Sequence, residues 1–150
     1  MALSHPHHGA PTPLTASRHS IAMFDLATDS TSHRLIREFH EASKIVSAVC
    51  HGPAALVNVK LSDGSYLIQG SAVTGFSNAE EDAVGVTAAM PFKLEDELNE
   101  KSGGQFEKAA EPWVEKVVVS ENGRLITGQN PASATGVGVA LREALAKKAK

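Results

Sequence analysis

Cys50 is the only cysteine among 150 residues, and it stands in the run Val46-Ser47-Ala48-Val49-Cys50-His51-Gly52-Pro53. A short apolar stretch breaks there into Gly and Pro. The cysteine therefore falls where a strand meets the start of a helix, the mechanical setting of a nucleophile elbow. A sulfur on such a turn points away from the sheet. The next helix, with Pro53 in its first turn, offers free backbone N–H groups that favour a thiolate and can hold a developing oxyanion. Gly52 is the oxyanion or turn position, where a small residue allows close approach. On this reading Cys50 titrates below a free thiol. A buried structural thiol at a strand end accounts for the same residue types, and context alone leaves both readings open.

His51 can serve as acid or base only where the turn swings its ring toward a carboxylate or a substrate; otherwise it is a turn histidine. Glu81 falls in the first turn of a helix, where the dipole stabilises an acid without any further role. Asn130, just before Pro131, is fully explained as a helix cap. His5, His7 and His8 have metal-ligating side chains, but residues 1–22 are rich in Pro, His, Ser, Thr and Ala with no hydrophobic period. That segment reads as an unstructured tail rather than a metal site. Arg18 is its only basic side chain, too few for an Arg-rich transit peptide.

The elements that must position these residues follow from periodicity. Leu35, Ile36, Phe39 and Ala42 follow helical spacing and predict a helix from about Thr31 to Ala42, capped by Asp29, Ser30 or Thr31. Residues 44–49 then predict a buried strand and residues from Pro53 another helix. Asp63-Gly64 marks a turn before Tyr66-Leu67-Ile68, and Ser71–Gly75 is a second strand candidate. Ser77-Asn78-Ala79-Glu80 has capping-box spacing, with Ala83, Val86 or Thr87, and Met90 continuing an apolar face. An amphipathic helix with Leu94 and Leu98 inward is expected before the break at Ser102-Gly103-Gly104. Val117–Ser120 and Arg124–Thr127 flank Glu121-Asn122-Gly123, a hairpin signal. The last helix starts behind Asn130 with Val137, Leu141, Ala144 and Leu145 inward.

Helix, strand, tight turn and helix form the α/β pattern. With 42% hydrophobic and 21% charged residues, and 14 basic against 17 acidic, the chain has the composition of one globular domain. The charge balance attracts neither nucleic acid nor an anionic membrane, and no apolar run suits a membrane span. One cysteine cannot form an internal disulfide, and the expected location is the cytoplasm, with the nucleus second.

Three segments, taken together, resemble the ThiJ/PfpI superfamily, in its glyoxalase III and small stress-inducible chaperone branch. They are Met23–Asp29 with Lys44–Leu56, Thr74–Glu81, and Leu125–Ala134. The resemblance runs from Met23 to the C-terminus. It implies a domain over 23–150 with a three-layer α/β sandwich and a mostly parallel sheet, flavodoxin-like or class I glutamine amidotransferase-like, with the strand ending at Val49 near its middle. It implies a catalytic Cys50, His51 and Glu81, and a D-lactate dehydratase type of hydro-lyase that detoxifies methylglyoxal without glutathione, metal or other cofactor. The implied partners are a small 2-oxoaldehyde substrate and, in a homodimer, a second copy. A stress-related holdase chaperone or redox-sensing thiol protein is the alternative.

The resemblance also implies a βαβ portion before the nucleophile segment, carrying a carboxylate for proton transfer. It further implies a Gly-Gly-His-Gly loop just ahead of Met23, where this chain reads Ala16-Ser17-Arg18-His19-Ser20-Ile21-Ala22. The fold is therefore expected to be incomplete at the N-terminus. The acids before Cys50 are Asp25, Asp29, Glu38 and Glu41, none in a matching context. A chain with the triad but without that base should form an adduct with methylglyoxal and turn over poorly.

Overall fold

The computed structural model describes residues 22–148; the expected tail, with His5, His7 and His8, lies outside them apart from Ala22. A π turn over Ala22–Leu26 leads into α1, Ser30–Glu41, whose N-cap Asp29 accepts the Ser32 N–H at 2.7 Å. Strand β1 is Val46–Val49, and a 3-10 turn covers Gly52–Leu56. Then come α2, Asn78–Val84, and α3, Leu94–Lys101. Strands β2, Val117–Ser120, and β3, Leu125–Gly128, form the expected hairpin, and α4 spans Ala134–Lys148.

The sheet is mixed. In the order β1-β3-β2, β1 runs parallel to β3 with Val46 opposite Leu125, and β2 runs antiparallel to β3 with Val117 opposite Gly128. β3 is central and every residue in it is buried. The expectation that the strand ending at Val49 would lie mid-sheet is corrected: β1 is an edge strand of this sheet, half-buried, with Ser47 exposed. A β-branched run reports strand propensity, not how many neighbours the strand has. Tyr66–Ile68 and Ser71–Gly75 are likewise not strands. They make only single bridges, Lys60 with Tyr66 and Val73 with Phe106, while Leu67, Ile68 and Val73 still fill the core.

The helices follow their caps more closely than their stripes. The Ser77–Glu80 capping box forms, but α2 stops after Val84 because Gly85 takes the left-handed conformation (φ 72°), so Ala83 is exposed. Leu94 and Leu98 are buried on α3 as expected, and Leu98 packs so close to Gly75 that a Cβ there would lie 2.7 Å from it. Asn130 caps a 3-10 turn, Pro131–Ser133, that runs into α4. On α4, Val137 is buried but Leu145 is 54% exposed, against expectation. On α1, Leu35 and Phe39 are 50% and 51% exposed, while Ile36 packs on the core. Among the described residues no helix is long and apolar enough to cross a membrane.

Candidate active site

The turn after β1 places its strain on the cysteine itself. Cys50 has φ 62°, a left-handed conformation that costs a non-glycine residue about 1–2 kcal/mol. Two backbone hydrogen bonds hold it there: the Cys50 N–H donates to the Gly128 carbonyl at 2.9 Å, and its carbonyl accepts from the Phe76 N–H at 2.9 Å. Gly128 can approach because it has no side chain; a Cβ would stand 2.7 Å from Val137 and 3.0 Å from Ser133. Gly52, by contrast, has no positive φ, and a Cβ on it would meet only Ala48 at 3.4 Å. The conformational demand of the elbow therefore falls on Cys50 and not on the glycine two residues later.

The elbow brings the sulfur against its neighbour. Cys50 Sγ lies 3.4 Å from His51 Nδ1, and His51 Nε2 lies 2.7 Å from Glu81 Oε2. Both side chains of the second pair are buried. An ionised Glu81 can only accept, so Nε2 carries the ring hydrogen and the Nδ1 lone pair faces the thiol. Phe76 lies flat enough against the imidazole, 4.4 Å between centroids at 40°, to form one wall. Glu81 Oε1 is buried and has no hydrogen-bond partner among the described residues. Cys50, His51 and Glu81 thus form a connected chain of thiol, imidazole and carboxylate, an arrangement able to transfer the thiol proton inward.

The electrostatics correct the expectation of a depressed thiol pKa. Burial pushes the Cys50 thiol up to about 11; the His51 backbone N–H pulls the other way, and the charges of Glu80 and Glu81 push it further up. The helix expected to supply a dipole is only the 3-10 turn Gly52–Leu56, too short for aligned peptide dipoles to accumulate. A thiol so raised rests protonated, with His51 Nδ1 beside it.

Among the described residues, none of the acids preceding Cys50 makes a side-chain hydrogen bond or ion pair with Cys50, His51 or Glu81. Asp29 caps α1, Glu38 pairs with Arg34 at 3.1 Å, Glu41 accepts from Ser62, and Asp25 is exposed. Among the described residues no group of three or more His, Cys, Asp or Glu side chains could hold a metal ion.

A model of the DJ-1/PfpI family matches residues 23–144. The chain belongs to the DJ-1/PfpI family. Within it, the chain is 31% identical over 127 residues to the glutathione-independent glyoxalase of Saccharomyces cerevisiae, covering 82% of this chain and 53% of that protein. It is 38% identical over 112 residues to a bovine glutamine amidotransferase-like class 1 domain-containing protein, covering 75% and 49%. The crystal structure of glyoxalase III from Candida albicans superposes with a TM-score of 0.72 at 30% identity, over 82% of this chain and 52% of that one. The chain spans about half the length of the curated relatives it matches.

Sequence reasoning missed part of this DJ-1/PfpI site. Glu80, seen as a capping-box acid, and Asn130, seen as a cap, meet each other: the Asn130 amide donates to Glu80 Oε1 at 2.7 Å. Trp113, which carried no role, has its N–H on the same oxygen at 2.9 Å and its ring 5.5 Å from Phe76. The one signal available was Trp113 itself, a lone tryptophan beside Pro112 in an otherwise polar stretch.

Proposed function

We propose that this chain acts on 2-oxoaldehydes through Cys50, as a glutathione-independent glyoxalase of the D-lactate dehydratase type. The observation that carries the reading is the unbroken line from Cys50 Sγ through the two nitrogens of His51 to Glu81. The names of relatives at about one-third identity support the substrate class. The finer fold we propose is the three-layer sandwich of that family, with a mostly parallel sheet to which β1 and β3 contribute a parallel pair.

The chemistry runs as follows. His51 Nδ1 accepts the thiol proton, and Glu81 stabilises the imidazolium through Nε2. The sulfur adds to the aldehyde carbon of methylglyoxal, and His51 returns the proton to the new oxyanion, giving a hemithioacetal. A base removes the hydrogen from that carbon while the ketone oxygen is protonated, giving an enediol; the hydroxyl proton on the former aldehyde carbon then leaves as a proton is delivered to the neighbouring carbon. The aldehyde carbon is thereby oxidised to a thioester while the ketone is reduced to an alcohol, with no external oxidant. Water cleaves the thioester to lactate and regenerates the thiol.

The proton shift between carbons is the weak step, because Glu80 is saturated by donors and Glu81, through Oε2, holds the His51 ring that has already taken the thiol proton. The expected behaviour is a stoichiometric, reversible adduct at Cys50 with slow D-lactate release. Incubation with methylglyoxal and no glutathione tests this: D-lactate from the wild-type chain and none from Cys50→Ala supports the reading, and equal yields remove it.

A second reading has its own observation. Phe24, Leu26, Leu35 and Phe39 are large apolar side chains exposed on the π turn and α1, surface that suits a stress-related holdase. Suppression of client aggregation that is unchanged by Cys50→Ala and lost with Leu35→Lys and Phe39→Lys would favour it.

A further inference from the structure

Beside Glu81 stands a second buried carboxylate that does more than cap a helix. Glu80 is fully buried and both its oxygens are saturated. Oε2 accepts from the Ser77 N–H at 2.9 Å, one half of the capping box, and also from the Ser77 hydroxyl at 2.7 Å. Oε1 accepts from the Trp113 N–H at 2.9 Å and the Asn130 amide at 2.7 Å, partners far away in sequence. The same amide nitrogen also donates to the Val114 carbonyl at 2.8 Å. Carboxylate, amide and the 113–114 backbone are thus tied to one another. Burial alone would raise the Glu80 pKa, but the four donors hold it below the usual carboxylate range, so it stays charged.

What this tie holds is a residue that would not rest there alone. Trp113 has φ 66°, left-handed, and a bulky side chain makes that conformation unfavourable. A charge-assisted hydrogen bond to its N–H is of the strength needed to offset it. So held, the indole stands edge-on to Phe76 at 69°, and Phe76 lies against His51. Hydrogen bonds at Nδ1 and Nε2 fix where the nitrogens lie; the ring contact fixes the tilt of the imidazole plane.

We infer that Glu80 is a positioning residue for the site: by holding Trp113 in its left-handed backbone it backs Phe76 against His51 and aims Nδ1 at the Cys50 sulfur. The inference rests on the reading of Cys50 as nucleophile and His51 as its base. The sign of one substitution separates it from a purely electrostatic effect. Glu80→Gln removes a negative charge that disfavours the thiolate, so loss of charge alone predicts faster alkylation of Cys50. Loss of positioning predicts slower alkylation.

The test measures iodoacetamide alkylation of Cys50 at neutral pH, together with acrylamide quenching of Trp113, the chain's single tryptophan. In Glu80→Gln we expect quenching to rise about twofold and alkylation to slow about tenfold, the scale of a small misplacement of a reacting group. Trp113→Gly, which suits φ 66° and keeps the Glu80 charge, should slow alkylation similarly, and Trp113→Phe should restore most of the rate. Alkylation at or above the wild-type rate in folded Glu80→Gln, with unchanged quenching, overturns the inference. So does a wild-type rate in Trp113→Gly, which decides the matter if Glu80→Gln does not fold. Absence of D-lactate from the wild-type chain would strike the glyoxalase reading while leaving these alkylation ratios interpretable.

Discussion

Two histidine–glutamate pairs sit at opposite ends of the parallel strands β1 and β3. At the C-terminal end, His51 Nε2 meets Glu81 Oε2 at 2.7 Å; at the N-terminal end, His40 Nε2 meets Glu121 Oε2 at 2.6 Å. Both histidines are buried, and by that contact alone they are indistinguishable. The difference lies at the remaining atoms. His51 turns Nδ1 to a thiol, and Glu81 keeps one oxygen unpartnered. His40 Nδ1 has no hydrogen-bond partner among the described residues, while Glu121 is saturated by Ser71 at 3.0 Å and Arg124 at 3.1 Å. A histidine–carboxylate bond orients a ring; it becomes chemistry only where the other nitrogen faces a reactive group. The lower pair is a tie between the end of α1, the loop at Ser71 and the β2–β3 turn, where Glu121 and Asn122 both have positive φ.

Substitutions can break that comparison. The largest effect expected is from His51→Ala, which removes the acceptor of the thiol proton and should slow adduct formation at Cys50 by about a hundred- to ten-thousand-fold, followed by intact-protein mass kinetics. Glu81→Gln should cost on the order of a hundredfold in the same assay, because an amide can stabilise the wrong ring tautomer and cannot compensate the imidazolium. His40→Ala should instead leave adduct kinetics unchanged and lower stability by about 1–2 kcal/mol in urea unfolding, since it removes a donor from half-buried Glu121.

The thiol gives a pH test of the upper pair. A folded-state pKa raised from the ordinary 9.0 to about 11 means that the native state holds its proton longer than the unfolded chain. The stability this contributes is complete below pH 9 and is lost as pH rises through 9 to 11. Iodoacetamide alkylation of the native chain should keep accelerating beyond pH 9, and Cys50→Ala should flatten the alkaline fall in stability. The smallest effect is at the exposed stripe of α1: Leu35→Lys and Phe39→Lys should each change unfolding free energy by no more than about 0.5 kcal/mol.

What could be read from the sequence was the locally determined part. The strand–Cys–Gly–Pro break, the Ser77–Glu80 capping box and the hairpin at Asn122-Gly123 involve residues within a few positions of one another, and each formed. The pairing of His51 with Glu81 spans 30 positions; spacing alone left both residues with structural explanations, and only the family resemblance joined them. Leu145 is expected inward and lies exposed, because periodicity identifies a face without saying whether anything covers it. The thiol pKa was misjudged because the helix after Pro53 is a single 3-10 turn and because the depth of Cys50 is a property of the assembled core. The long-range contacts of Glu80 with Trp113 and Asn130 are illegible for a further reason. A helix cap satisfies local rules completely, so a second, long-range duty leaves no trace in the local pattern.

The most direct test of the account is the rate of methylglyoxal adduct formation at Cys50, measured by intact mass on the folded wild-type, His51→Ala and His40→Ala chains side by side. The account predicts a single adduct per chain, a rate that collapses in His51→Ala, and a rate in His40→Ala equal to that of the wild type. Equal rates in all three, or equal losses in both variants, would show that His51 is no more a base than His40, and would contradict it.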